Sequence, residues 1–539
     1  MDATANHADV DFVAVPTPLI DLLDDAARRF AGRPAIDFLG RGQTWGTVAD
    51  LADRAAAGLQ ALGVGKGVCV GLCLPNTPYS VILYFAILKV GGTVVNFNPL
   101  YTERELAGQI KDSGTRIMVT LDIAMIQAKI GRLVDQGLLD RVIVCSMVAA
   151  LPLLKALLFR AFKARDLAAV PDGEVYLRFD RLIAGAAKPK PVAIDPVQDI
   201  AVLQYTGGTT GTPKAAMLTH ANITANIQQV LAANPTIGRG TERIGVMNLG
   251  VAIGAELILM PRLDMKLLMA TIARKRPTML PGVPTLYTAI CNAAGAGMDL
   301  SFIHFCMSGG APMSLEGMER FQLLSRCPIL EGYGLSETSP IVTTTPPDRV
   351  KIGSVGRALP GTIVEIRDPD HPEVVLAQGA RGEICVRGPQ VMRGYYHRPA
   401  ETAASFVDGA LRTGDIGYLD EDGYLFIVDR IKDLILCGGF NVYPRVIEEA
   451  AYQHAAVQDA VAIGIPDAYR GQAPKLFVTL RPGAVATEAE ILEFLQAHLN
   501  RIEIPKTVEI RESLPKTMVG KLSKKELVAE EVAKAQAKV

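Results

Sequence analysis

The amino-acid sequence predicts a multidomain α/β protein (α+β at the level of the whole chain): a large N-terminal domain of layered α/β subdomains, then a small C-terminal α/β domain. Three observations predict it. The chain has 539 residues, too many for one hydrophobic core, so it divides into at least two domains. Residues 17–140 alternate helical and strand patterns, as layered α/β architecture requires. A second, shorter alternation begins after Asp433.

In chain order, 49–62 is amphipathic and stops at Gly63, a helix and its end. Residues 68–74 are a short apolar run that fits a buried strand. Thr102 and Glu105 form a capping box for a helix through Ile110, and 116–121 reads as the next strand. Residues 149–165 are apolar with bases at Lys155, Arg160, Lys163 and Arg165. Such a helix either packs on its own domain or lies on a membrane surface; the first reading is favoured because such stripes are common in globular helices. A strand at 200–205 and a helix at 222–234 follow. In the tail, Pro444 is placed to start a helix, 460–465 and 476–480 read as strands, and Thr487 with Glu490 caps a helix to Leu499.

Composition excludes several classes. Hydrophobic residues make up 49% and charged residues 21%, a globular balance. Net charge is -1, so no overall field favours nucleic acid, and none is expected as a partner. The eight cysteines are scattered without metal-ligand spacing, which points to a reduced, cytoplasmic setting. The N-terminus lacks the basic and apolar regions of a signal peptide. No apolar run reaches the ~18–20 residues of a membrane span.

The chemistry concentrates at 203–222, LQYTGGTTGTPKAAMLTHAN. The loop Thr206-Gly207-Gly208-Thr209-Thr210-Gly211-Thr212-Pro213-Lys214 combines close backbone approach, hydroxyl donors and a positive charge. Those features suit a polyphosphate. It is not a Walker loop, because Thr212 and Pro213 separate Gly211 from the lysine and Ala215 follows it. Further on stand Ser308-Gly309-Gly310-Ala311-Pro312, whose glycines let a flat base lie against the backbone, and Glu331-Gly332-Tyr333-Gly334-Leu335-Ser336-Glu337. There an aromatic ring offers a stacking face and a carboxylate can hold a hard cation. Asp415, in Arg412-Thr413-Gly414-Asp415, can accept two hydrogen bonds from a diol. The tail adds Asp429-Arg430-Ile431-Lys432, Gly438-Gly439-Phe440 and Met518-Val519-Gly520-Lys521.

On these motifs the chain resembles the adenylate-forming enzymes: acyl-CoA synthetases, firefly-type luciferases and peptide-synthetase adenylation domains. The resemblance covers roughly residues 17–530. It implies an ATP-dependent acid–thiol ligase that makes an acyl-AMP and passes the acyl group to coenzyme A. By resemblance, residues 206–214 hold the phosphates, Gly310, Ala311, Pro312, Glu331, Gly332, Gly334 and Ser336 surround the nucleotide, and Tyr333 stacks on the adenine. Glu337 binds Mg²⁺ with Thr206 beside it, Asp415 takes the ribose diol, and Arg430 lies near ribose and phosphate. It divides the chain into 1–431 and a mobile domain, 432–539, hinged at Lys432. Gly438, Gly439 and Phe440 then line the pantetheine channel, and Lys521 is the catalytic lysine. The motif 331–337 and the ending after Lys506 look most like bacterial medium- and long-chain fatty acyl-CoA synthetases. An aryl- or cinnamate-type CoA ligase is the enzyme alternative. The expected partners are fatty acid, ATP and CoA; membrane contact through 149–165 and a homodimer stay open.

One piece of the pattern is absent. The family usually carries an apolar strand ending aromatic-His-aromatic after the phosphate loop and its helix, forming a wall of the acyl pocket. Here no histidine occurs between His220 and His304, and about a dozen residues are missing near Gly245, a loop-scale gap. The departure leaves a second alternative, a non-catalytic nucleotide-binding remnant.

Overall fold

The computed structural model describes residues 6–7, 12–170, 173–185, 188–206, 213–294, 298–311, 313, 315–437, 440–467, 469–516 and 522–536. Its elements form five sheets. The first has seven strands, in the order Lys214–Thr219, Ile200–Thr206, Thr93–Asn96, Cys69–Cys73, Ile117–Leu121, Arg141–Cys145 and Tyr176–Arg178. All neighbours are parallel except the first pair. The helix Pro78–Lys89 is apolar all round and buried from Pro78 to Leu88, as a helix between layers must be. Beside it, Trp45–Ala61 buries Trp45, Val48, Ala52 and Leu59. The expected capping box is present: Thr102 Oγ1 accepts from Glu105 N at 3.3 Å and the Glu105 carboxylate accepts from Thr102 N at 2.8 Å.

A second sheet orders Met279–Gly282, Phe305–Gly309, Ile329–Gly334, Ile341–Thr344 and Arg357–Ala358. Its first three strands are parallel and the rest antiparallel. Two others comprise a four-stranded sheet around Pro34–Phe38 and a six-stranded antiparallel sheet around Gly382–Arg387 and Ala410–Leu419. The last is built wholly from Ile435–Cys437, Phe440–Val442, Val457–Asp467, Gly471–Leu480 and Thr507–Ile510. The strands expected at 460–465 and 476–480 are the middles of one long hairpin paired from Val457↔Leu480 to Asp467↔Gly471. Around it lies a separate apolar cluster including Ile447, Leu476, Val478, Ile491 and Leu495.

The helix favoured at 149–165 as packed on its own domain is divided. Met147–Ala150 is buried, but Leu153–Phe162 buries no residue fully. Only Ala156 and Phe159, both half-buried, pack against the core.

The helix His220–Ala233 joins the sheets. Thr219 and Asn222 close a reciprocal cap at its start. His220 is buried and its Nδ1 accepts from Leu19 N at 3.1 Å. Burial pushes its pKa down to about 4, so the neutral ring accepts. One turn on, Asn226 mimics a strand partner: Nδ2 donates to Ile341 O at 2.7 Å and Oδ1 accepts from Ile341 N at 3.1 Å. Gln229 Nε2 donates to Pro360 O at 2.8 Å and Thr362 Oγ1 at 3.0 Å. Removing a buried partner leaves both Ile341 groups unsatisfied, so Asn226→Ala is expected to cost about 2–3 kcal/mol of stability. Urea midpoints measure this; an unchanged midpoint would mean that the pair contributes nothing.

Candidate active site

The first sheet ends in a hairpin whose register sets Thr206 opposite Lys214. This closes the threonine–glycine loop; Gly207, Gly208, Thr209, Thr210, Gly211 and Thr212 lie outside the described residues. The Lys214 ammonium stands 5.3 Å from the centre of the Tyr395 ring, within cation–π range. Tyr395 in turn donates its hydroxyl to Glu337 Oε1 at 2.9 Å. Its place is set by backbone contacts with the same hairpin: Ala216 bridges Tyr395, and Tyr396 N donates to Ala215 O at 2.9 Å. Lys214, Tyr395 and Glu337 therefore form one chain of contacts.

Glu337 sits on a single turn, Ser336–Thr338, after the strand Ile329–Gly334. The chain then doubles back so closely that a Cβ at Gly334 would lie 1.9 Å from Pro340 O. Only glycine allows that return, which is why a glycine stands between Tyr333 and Glu337. One Glu337 oxygen accepts the tyrosine hydrogen bond; the other receives no hydrogen bond from the described residues. Among those residues no group of three His, Cys, Asp or Glu side chains gathers for a metal. A lone carboxylate with one oxygen unengaged is a donor that fits Mg²⁺, which takes one or two carboxylates with waters and phosphate oxygens.

Tyr333 and Asp415 meet across two sheets. The Tyr333 hydroxyl donates to Asp415 Oδ2 at 2.7 Å, and Arg430 Nε donates to Asp415 Oδ1 at 3.0 Å. Burial, then the neighbouring carboxylate, pushes the Tyr333 phenol well up, so it stays a donor. Asp415 is aimed by its own motif. Arg412 pairs with the buried Glu383 carboxylate, whose other oxygen accepts from Gly414 N at 3.1 Å. Gly414 takes φ +73°, and Thr413 Oγ1 accepts from Asp415 N at 3.1 Å. The sheet register shifts in this stretch, and a bulge of this kind re-aims a side chain.

Gly310 and Ala311 follow the strand Phe305–Gly309, adjacent to Ile329–Gly334 in the same sheet; Pro312 lies outside the described residues. The Glu331 carboxylate accepts from Met313 N at 3.2 Å. Gly332 pairs with Thr344, and Ser336 opens the Glu337 turn. Lys432 occupies the turn Ile431–Asp433, and Phe440 starts the strand Phe440–Val442 with its ring exposed. Gly438, Gly439 and Lys521 fall outside the described residues; a bridge pairs Lys516 with Leu522.

Two residues escaped the sequence reading. Tyr395 lies in GYY, which signals nothing beyond two aromatics. Asp429 is buried, and burial pushes its carboxyl up. It accepts from Arg430 N and from Arg445 N, both at 2.8 Å. Arg445 belongs to the helix Pro444–Tyr452, so Asp429 caps a helix of the last sheet's layer from the strand Leu425–Arg430. The acid of Val428-Asp429-Arg430, just before Lys432, was the available signal.

Near Gly245 the chain is tight. The strand Arg243–Ile244, the helix Met247–Ala252 and the strand Glu256–Leu259 form a short parallel crossover. Ile244, Val251, Ile253 and Leu257 are fully buried. A cleft of about 560 Å³ lies beside it, lined by Asp21, Asp24, Arg28, Gln228 and Arg239 among others. It contains none of the predicted site residues and its charged walls suit no acyl chain.

Lys214, Tyr333 and Asp415 thus come from strands of three sheets, and sequence comparison gives the class, an AMP-binding enzyme. The chain belongs to that family: the AMP-binding enzyme model matches residues 23–396 and the AMP-binding enzyme C-terminal domain matches 446–521. It is 39% identical to a long-chain-fatty-acid–CoA ligase of Bacillus subtilis, over 95% of this chain and 94% of that protein. To one of Salmonella typhimurium it is 38% identical, over 94% of each. The structure of ATP-bound MatB from Rhodopseudomonas palustris superposes with a TM-score of 0.82 at 28% identity, over 95% of this chain and 98% of that one.

Glu331 provides a pH test. Burial raises its carboxyl from 4.5 to about 7. The folded state resists ionising it, so the stability of the neutral form is complete below pH 4.5 and is lost as pH rises towards 7. Glu331→Gln should remove that slope from urea midpoints taken across this window. An unchanged slope would show that another group sets it.

Proposed function

We propose that this chain is an ATP-dependent acid–thiol ligase that converts a medium- or long-chain fatty acid to its acyl-AMP and then to the acyl-CoA. The observation that carries the reading is the meeting of Tyr333, Asp415 and Arg430 beside the Lys214–Tyr395–Glu337 chain. A carboxylate is a poor electrophile because its leaving group would be oxide; adenylation supplies a good one. Asp415 accepts from the ribose diol while Tyr333, held by the same carboxylate, offers its ring to adenine. Thr206, Lys214 and the glycines between them bind the phosphates. Glu337 with the Thr206 hydroxyl would hold Mg²⁺, which supplies charge neutralisation at the polyphosphate. Lys521 places a cation at the α-phosphate, where charge develops. Residues 432–539 then turn about Lys432, so that Gly438, Gly439 and Phe440 face the site in place of Lys521. The names of the bacterial relatives support the fatty acid as substrate and CoA as acceptor, and eight free cysteines support a cytoplasmic setting.

The half-reactions separate the roles. Lys521→Ala should slow acyl-AMP formation by about 10²-fold and leave transfer from supplied acyl-AMP nearly unchanged. Equal loss in both would make Lys521 structural.

The crossover at Gly245 favours a second reading, an impaired acyl pocket. A long tail gains about 0.8 kcal/mol per CH₂ only where apolar walls enclose it. Here Ile244 and Val251 are already buried among themselves. On that second reading, thioester formation from a panel of acids with ATP and CoA is slow on long chains and rises when an apolar segment is inserted after Gly245. Full activity on long chains without the insertion would refute impairment, and preference for aryl acids would identify the aryl branch.

A further inference from the structure

The helix Leu153–Phe162 faces the wrong way for a globular helix. Leu154, Leu157, Leu158 and Ala161 stand at i, i+3, i+4 and i+7, the spacing of a buried stripe, yet all four are exposed. With Leu153 and Phe162, the large apolar residues of this helix are 48–82% exposed. The opposite face, Ala156 and Phe159, is the one packed on the core. The helix is held in that orientation. Lys155 Nζ donates to Leu39 O at 2.7 Å, and the Arg41 guanidinium bonds Ala149 O and, at 3.3 Å, Leu151 O.

Charge selects the occupant. Residues 149–165 contain four bases and no acid. Arg160 and Arg165 are exposed, and Lys163 lies 3.9 Å from Asp166. A second copy of this face would bring those bases against one another. An anionic bilayer meets both requirements, since its headgroups take the bases and its acyl boundary takes the leucines. At about 15 Å long the helix can lie along the surface, and among the described residues no helix is long and apolar enough to cross it. We propose that Leu153–Phe162 is a docking surface for an anionic membrane leaflet. This holds whatever acid the active site takes.

Co-sedimentation of the full chain with vesicles tests it. Phosphatidylcholine vesicles containing phosphatidylglycerol should carry the protein down, and phosphatidylcholine alone should not. Added salt should weaken the binding. Leu154→Ser/Leu158→Ser, at positions already exposed, should keep the thermal midpoint and lower partitioning by about tenfold or more. Arg160→Glu/Arg165→Glu should abolish the preference for the anionic vesicles. The proposal is overturned if the wild type stays in the supernatant, or if the leucine variant sediments equally well. It is also overturned if the wild type is a dimer that the leucine variant splits while vesicles are ignored.

Discussion

Asp415 is the constraint on which the site depends. Its carboxylate is buried and is shared between a tyrosine from the five-stranded sheet and an arginine from its own. A buried carboxylate with two charge-assisted or phenolic donors is strongly oriented. Because the donors come from different strands, the bond sets the distance between the sheets. It also holds the Tyr333 ring at its tip, within the buried cluster that includes Val342 and Ala358. Arg430 is more exposed than Asp415 and can turn to a ligand phosphate while Tyr333 keeps the carboxylate satisfied.

The rest of the site is placed by main-chain contacts. The hairpin ending in Thr206 and Lys214 bonds directly to the segment that carries Tyr395. The helix leaving that hairpin grips Ile341 through Asn226, and Ile341 follows the Glu337 turn by four residues. Movement of the phosphate hairpin is thus coupled through packed structure to the carboxylate that would hold the metal. Asp429 extends these contacts beyond Lys432, since its carboxylate caps the helix beginning at Pro444. The last layer is tied to the strand before Lys432 by the Arg445 N–H on this buried acid, whose other oxygen accepts from the neighbouring Arg430 N.

Much of this was legible in the sequence, because the informative residues act locally. Caps such as Thr102–Glu105 and Thr487–Glu490 satisfy their own helix ends, so spacing alone reveals them. Gly334 marks a place where only glycine fits, and Gly414 one where the left-handed backbone favours it. What could not be read depends on contacts between distant segments. Tyr395 matters through Glu337 and Lys214, 58 and 181 positions away in the chain, and no local pattern encodes that. The outward stripe of Leu153–Phe162 is the reverse case. Its periodicity is that of a packed helix, and periodicity fixes which residues share a face without saying which face is covered.

The crossover at Gly245 shows how a fold can close over a departure at its site. Its helix is short, but the strands either side pair in parallel register with the sheet. Gly250 allows close packing, since a Cβ there would sit 2.4 Å from Leu257 and 2.9 Å from Ile244. Gly254 turns the chain at φ +67°, against the Phe30 ring, and offers its carbonyl to Trp45 Nε1 at 3.2 Å. Each of these contacts favours a filled interior, the condition for stability in a close-packed core. A cavity for a long acyl chain is the opposite condition, an apolar space kept empty until the ligand enters. The same side chains cannot meet both. Within this layer the stretch between Ile244 and Leu257 is therefore better suited to holding the sheet together than to enclosing a tail.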